Sequence, residues 1–177
     1  MSAFNTPESI FQHAAKFRLA QKVLDSVALG DPYGGALAEP LCVLAAFTTE
    51  LMFKCLIYVE GGSPPPTHDL LELFERLSGP TRERLEAMWT DFVRLHPDEV
   101  EEFERGSGAA LDPELRLALA AGRKAFEQIR YFYEGPKDFA FYLSRLPDML
   151  AKVVFELRPD WAQRAEMFWP APQQGGA

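Results

Sequence analysis

The chain has 177 residues, of which 47% are hydrophobic and 25% are charged, and its formal net charge is −8 at pH 7. This length and composition are typical of one globular domain whose core needs neither a disulfide nor a cofactor to be stable. The acidic balance excludes a general nucleic-acid binder with a basic surface and carries no DNA-binding signal, although it leaves room for a local basic groove.

Helical periodicity without sustained strand alternation predicts an all-α fold, a single bundle of about five to seven helices. The first helix begins at Thr6-Pro7-Glu8, with Thr6 as its cap, and continues to about residue 28. A Gly-rich turn at 30–35 ends it. Its apolar positions keep helical spacing and are Ile10, Ala14, Phe17, Ala20, Val23 and Val27.

The second helix, at about 36–60, is apolar on nearly every side, which predicts a place in the centre of the bundle. Glu50 and Lys54 interrupt its apolar run, so we expect a buried core helix and not a membrane span. Both cysteines, Cys42 and Cys55, fall on this helix and are too far apart for a disulfide. We therefore expect free thiols in a reducing compartment, and no zinc site.

The rest of the chain contains six shorter segments separated by Gly and Pro breaks. In chain order they are a helix at 68–78, a polar helix at 80–95, a frayed helix and mobile loop at 97–110, a long helix at 112–134, a helix at 138–157 and a short helix that begins at 159 and ends before 169. This pattern predicts a single helical domain at 1–169 and a disordered tail at 170–177. Because the first residues lack the basic segment and apolar run of a secretion signal, we expect a cytoplasmic protein that contacts no membrane. We also expect that it holds no cofactor.

The segment 123–134 places charges of alternating sign on one predicted helix face. At about 100° per residue, Arg123, Glu127, Arg130 and Glu134 fall within roughly 60° of one another, at spacings of three or four residues. Such a face has two interpretations. It lines a cleft or an interface, where the arginines bind an anion and the glutamates hold them in place, or it is a solvated ladder of ion pairs.

Three more ionisable residues are candidates for the same site. Glu50 and Lys54 lie one helical turn apart in an otherwise apolar segment, so they have either a partner or an opening to solvent. His68 lies at the first turn of the next helix, where an imidazole is suited to acid–base chemistry near neutral pH. The simpler alternatives are an internal Glu50–Lys54 ion pair and a local hydrogen bond for His68.

Aromatic residues concentrate in the C-terminal half of the chain. Helical spacing leaves some of them, including Tyr131 and Phe132, on the side away from the predicted core. Exposed aromatic side chains are typical of protein–protein interfaces. We therefore expect a homodimer.

Two segments together resemble the HEPN family, a family of small helical domains associated with nucleotides and RNA. One runs Ala-Ala-Phe-Thr-Thr-Glu-Leu-Met-Phe-Lys-Cys-Leu-Ile at 45–57 and is followed by a Gly/Pro linker and Thr-His-Asp-Leu-Leu-Glu-Leu-Phe at 67–74. The other runs Ala-Phe-Glu-Gln-Ile-Arg-Tyr-Phe-Tyr-Glu at 125–134. The resemblance implies an up-and-down core, in which a long helix with a Glu/Lys pair packs against a late helix that lines a cleft. It also implies a dimer and a place in a defence or toxin–antitoxin-type system.

Catalytic members of that family resemble metal-independent ribonucleases whose late helix has an Arg followed, about four to six residues later, by a His that acts as acid and base. This chain departs from the pattern, since no His follows His96. The resemblance therefore implies a non-catalytic or divergent member that binds a nucleotide, RNA or a partner protein. Two alternatives stay open: a divergent metal-independent ribonuclease that uses His68 with Arg130, and a plain protein–protein interaction domain.

Overall fold

The computed structural model describes residues 6–28, 34–130, 142 and 144–165, apart from the side chains at 28, 126, 127, 130 and 163–165. In these ranges the chain contains helices and no strand, so the all-α prediction is confirmed. The helices are α1 Pro7–Ala28, α2 Gly34–Val59, α3 Leu70–Glu75, α4 Gly79–Leu95, α5 Pro97–Ser107, α6 Leu115–Ala121, α7 Ala125–Arg130, α8 Leu146–Leu157 and α9 Pro159–Ala165. Those of eleven or more residues are α1, α2, α4, α5 and α8, in agreement with a bundle of about five to seven helices.

Helix α2 lies at the centre of the bundle, as its sequence predicts, and packs against α1, α3, α7 and α8. Its partner α1 runs antiparallel to it. The rings of Phe17 and Phe47 lie 4.7 Å apart, while nearer the start of α1 the Cys55 thiol donates to the Pro7 carbonyl at 3.3 Å. The segment Ala38–Val59 of α2 is long and apolar enough to cross a membrane, but 56% of its most apolar stretch is buried inside the bundle. A core helix passes the same length and composition test, so these two properties do not identify a membrane span.

The buried face of α1 is not the face that the spacing of its apolar residues predicts. Its buried positions are Phe11, Ala14, Ala15, Arg18 and Gln21. Val23 and Val27, which continue the predicted apolar pattern, are exposed. The contact with α2 fixes the rotation of α1, and Arg18 on the buried face is accommodated because its guanidinium binds Asp148 of α8.

Two segments depart from their predicted boundaries. The segment 97–110 forms an ordered helix, α5, which ends at Gly108 in a left-handed conformation (φ +72°) typical of a helix C-terminus. The helix predicted at 138–157 begins only at Leu146 in the described residues, with Pro147 in its first turn. Proline is favoured there because an N–H in the first turn of a helix has no acceptor within the helix, so its absence costs nothing.

The long helix predicted at 112–134 is interrupted by a turn at Gly122–Lys124 and becomes α6 and α7. The carbonyl of Arg123 in this turn accepts a hydrogen bond of 2.9 Å from the backbone N–H of Leu70, the first residue of α3. The start of α6 is fixed from outside as well, because the Glu86 carboxylate of α4 accepts from the N–H groups of Leu115 and Arg116 at 2.9 and 3.2 Å. Tertiary hydrogen bonds thus set both ends of α6.

Both cysteines lie on α2 and neither forms a disulfide, as predicted. Cys55 is fully buried, and burial raises the pKa of its thiol from 9.0 to about 12. Cys42 is partly exposed, and its pKa is raised by burial and by the nearby Glu39 and Asp25 carboxylates.

Alkaline pH is expected to destabilise the protein through Cys55. The folded-state pKa is raised, so this stabilising contribution is complete below pH 9 and is lost as the pH rises towards about 12. Between pH 8 and about 10.5, the free energy of unfolding of the native sequence should fall by about 2 kcal/mol more than that of Cys55→Ala. Urea denaturation of both proteins at the two pH values measures this difference. Equal losses would show that the buried thiol does not resist ionisation.

Candidate functional site

A buried carboxylate on α2 organises the candidate site. Glu50 is only 2% exposed and receives two partners: Lys54 Nζ lies 2.7 Å from its Oε1, and His68 Nδ1 lies 2.9 Å from its Oε2. The Lys54 and His68 side chains are 20% and 50% exposed, so both reach the surface from this carboxylate. We call these three residues the Glu50 cluster. The internal ion pair and the opening to solvent, considered above as alternatives, occur together.

The segment between α2 and α3 brings His68 to Glu50. Gly61 turns the chain at the end of α2 with a φ of +82°, and the N–H of Gly62 donates to the Ile57 carbonyl at 2.8 Å. After the proline run, the Thr67 hydroxyl accepts from the N–H of Asp69 at 3.1 Å. His68 is therefore held between the hydroxyl of the preceding residue and the cap of α3.

Asp69 connects the Glu50 cluster to the turn between α6 and α7. Its Oδ1 caps α3 by accepting from the N–H groups of Leu71 and Glu72 at 3.1 and 3.2 Å. Its Oδ2 binds Arg123, with Nε at 2.7 Å and Nη2 at 2.6 Å. The hydrogen bond and the charge of Asp69 raise the pKa of the Arg123 guanidinium above its ordinary value. Asp69 was not among the predicted site residues, although an Asp directly before an apolar helix is a sequence signal for an N-cap.

The predicted site residues fall into two groups. Glu50, Lys54 and His68 lie together, and Arg123 joins them through Asp69. The predicted continuous face with Glu127, Arg130 and Glu134 does not extend to Arg123, because the turn at 122–124 breaks the helical register. The side chains of Glu127 and Arg130, and the whole of Glu134, lie outside the described residues, as do Tyr131 and Phe132.

The charges of this site nearly cancel. Two carboxylates, Glu50 and Asp69, face two cations, Lys54 and Arg123, and His68 adds a positive charge only when it is protonated. When its Nδ1 carries a proton, the imidazole donates to Glu50, which fixes the orientation of the ring. Among the described residues, no group of three or more His, Cys, Asp or Glu side chains is placed to hold a metal ion. The lysine, the arginine and the positioned imidazole offer groups for anion binding and proton transfer.

An open, mostly apolar groove of about 380 Å³ lies elsewhere on α2, near its first turns. Its lining residues are Glu39, Pro40, Val43, Leu44 and Ile129. None of these belongs to the Glu50 cluster. The groove therefore adds no polar group to the candidate site.

The chain matches no protein-family model, no curated protein and no solved structure at a significant level. Its function therefore has to be inferred from the geometry and charges of the Glu50 cluster and its neighbours, since a helical bundle by itself is compatible with many functions.

Proposed function

We propose that this chain is a HEPN-like module that binds a phosphate-bearing ligand, a nucleotide or RNA, at the Glu50 cluster. One observation carries the proposal: a buried carboxylate holds a lysine and a histidine whose side chains are 20% and 50% exposed. Burying Glu50 costs free energy that a surface ion pair does not, so a stability role alone explains it poorly. The neighbouring Arg123 guanidinium, 52% exposed, adds a third group that can contact phosphate.

The proposed module has its ligand-binding groups on three elements. Lys54 belongs to α2, His68 precedes α3, and Arg123 lies in the turn before α7. From the sequence pattern alone, we also propose that Arg130 contacts the ligand, with Glu127 and Glu134 as its partners at helical spacing. Dimerisation of two such modules in the cytoplasm, in a defence or toxin–antitoxin-type system, belongs to the same proposal.

A divergent ribonuclease is the second candidate, and the contact between Glu50 and His68 favours it. A carboxylate that binds one ring nitrogen of a histidine fixes the orientation of the ring, which suits an acid–base catalyst. In this alternative His68 exchanges protons with the RNA ribose and Arg130 binds the phosphate. A plain protein–protein interaction domain is the third candidate. It would need neither the contact between Glu50 and His68 nor a phosphate contact by Arg130.

His68→Ala is expected to weaken binding of AMP or of a short fluorescein-labelled RNA about tenfold, equivalent to about 1.4 kcal/mol. Calorimetry and fluorescence anisotropy at low salt measure the two affinities. His13→Ala is the matched control, because His13 is an exposed histidine that packs on Phe17 at 5.0 Å. Equal affinities of His68→Ala and the native sequence, or no binding at all, would contradict the proposal. Loss of RNA cleavage in His68→Ala alone would favour the ribonuclease.

A further inference from the structure

The two carboxylate oxygens of Asp69 have different partners. Among the described residues, Oδ1 accepts from the backbone of α3, from the N–H groups of Leu71 and Glu72. Oδ2 takes both the Nε and the Nη2 of Arg123. The guanidinium thus directs two of its donors at one anionic oxygen, and the oxygens of a phosphate group can accept from the same donors. Asp69 Oδ2 therefore occupies donors of Arg123 that an anionic ligand would need.

We propose that Asp69 is an autoinhibitory carboxylate, which holds Arg123 in the absence of ligand and is displaced when a phosphate group binds. The inference rests on the proposed function and adds its regulation. Asp69 is 12% exposed and anchored through the α3 cap, whereas Arg123 is 52% exposed on a flexible stem. Arg123 is therefore the partner that moves. The exchange leaves the helix cap in place, because that cap uses the other oxygen of Asp69.

This division of oxygens makes Asp69→Asn a selective variant. The asparagine oxygen retains the cap of α3, since Asn and Asp are about equally good N-caps. Its amide nitrogen takes the place of Oδ2 and cannot bind a guanidinium. The substitution therefore releases Arg123 and raises the charge of the site by one unit while α3 stays capped.

Asp69→Asn is expected to bind AMP and the labelled RNA about fivefold more tightly than the native sequence at low salt, the effect of removing one unit charge about 4 Å away in water. The gain should shrink at high salt and disappear in the Asp69→Asn/Arg123→Ala double variant. Asp91→Asn is the control, because it makes the same charge change at the exposed Arg94–Asp91 pair. Its affinity should match that of the native sequence.

The outcomes separate this inference from the proposed function. If the native sequence binds, His68→Ala binds about tenfold more weakly, and Asp69→Asn gains no more than Asp91→Asn, then the autoinhibitory role is wrong and the binding site stands. If no variant binds either probe, both are wrong. An independent test is hydrogen exchange at the Arg123 Nε–H by NMR without ligand. Slow exchange in the native sequence and fast exchange in Asp69→Asn are expected, and fast exchange in both would overturn the inference.

Discussion

Asp148→Asn is expected to lower the free energy of unfolding by about 3 kcal/mol, because it leaves a buried guanidinium without its anion. Arg18 is 4% exposed and donates from Nε to Asp148 Oδ1 at 3.1 Å and from Nη2 to Asp148 Oδ2. In the described part of the chain, its Nη1 is buried and has no hydrogen-bond partner. Asp148 therefore provides the hydrogen bonds that compensate for the burial of this charge.

Urea denaturation followed by circular dichroism measures this loss. Lys22→Met is the control, because Lys22 approaches Asp148 only to 3.7 Å and is more exposed, so its loss should cost under about 1 kcal/mol. The double variant Arg18→Met/Asp148→Asn should recover most of the stability, since an apolar side chain of similar length replaces the buried charge. A loss below about 1 kcal/mol in Asp148→Asn would mean that Asp25 takes over as the anion. Burial raises the pKa of Asp25, and the charge of Arg18 opposes that rise.

Local pattern was sufficient to predict α2 and insufficient to predict the buried face of α1. A helix that is apolar all round has to be central whatever its rotation. On α1 the rotation is set by contact with α2, and it turns Arg18 inwards and Val23 outwards. The compensating Asp148 lies 130 residues later in the chain. No window of sequence around Arg18 contains that partner.

In the candidate site as well, some contacts follow from the local sequence and others depend on distant parts of the chain. The pairing of Glu50 with Lys54 follows from their spacing of one helical turn. The approach of His68 depends on the path of the Gly/Pro segment, which spacing does not specify. The sequence pattern predicts a continuous helix through Arg123, although Gly122 is a local sign of a break. The hydrogen bond that holds the turn comes from Leu70, in another helix.

Lys54→Met is expected to lower the free energy of unfolding by about 3 kcal/mol at pH 8, because Glu50 stays buried and loses its only permanent cation among the described contacts. His68 then remains as a partner that is charged only when protonated. Arg94→Met is the matched control: it breaks an exposed pair with Asp91 and should cost under about 1 kcal/mol. Urea denaturation of both variants measures the contrast, and equal small losses would show that Glu50 does not depend on Lys54.

The double variant Glu50→Gln/Lys54→Met separates stability from binding. With a neutral amide in place of the carboxylate, no buried charge lacks a partner, so most of the lost stability should return. The amide still offers an oxygen to His68, but the site has lost the lysine that we propose contacts phosphate. Recovered folding with lost AMP and RNA binding would mean that this costly buried pair serves the ligand. Recovered folding with unchanged binding would mean that Glu50 and Lys54 only support the bundle, and that any phosphate contact comes from the arginines.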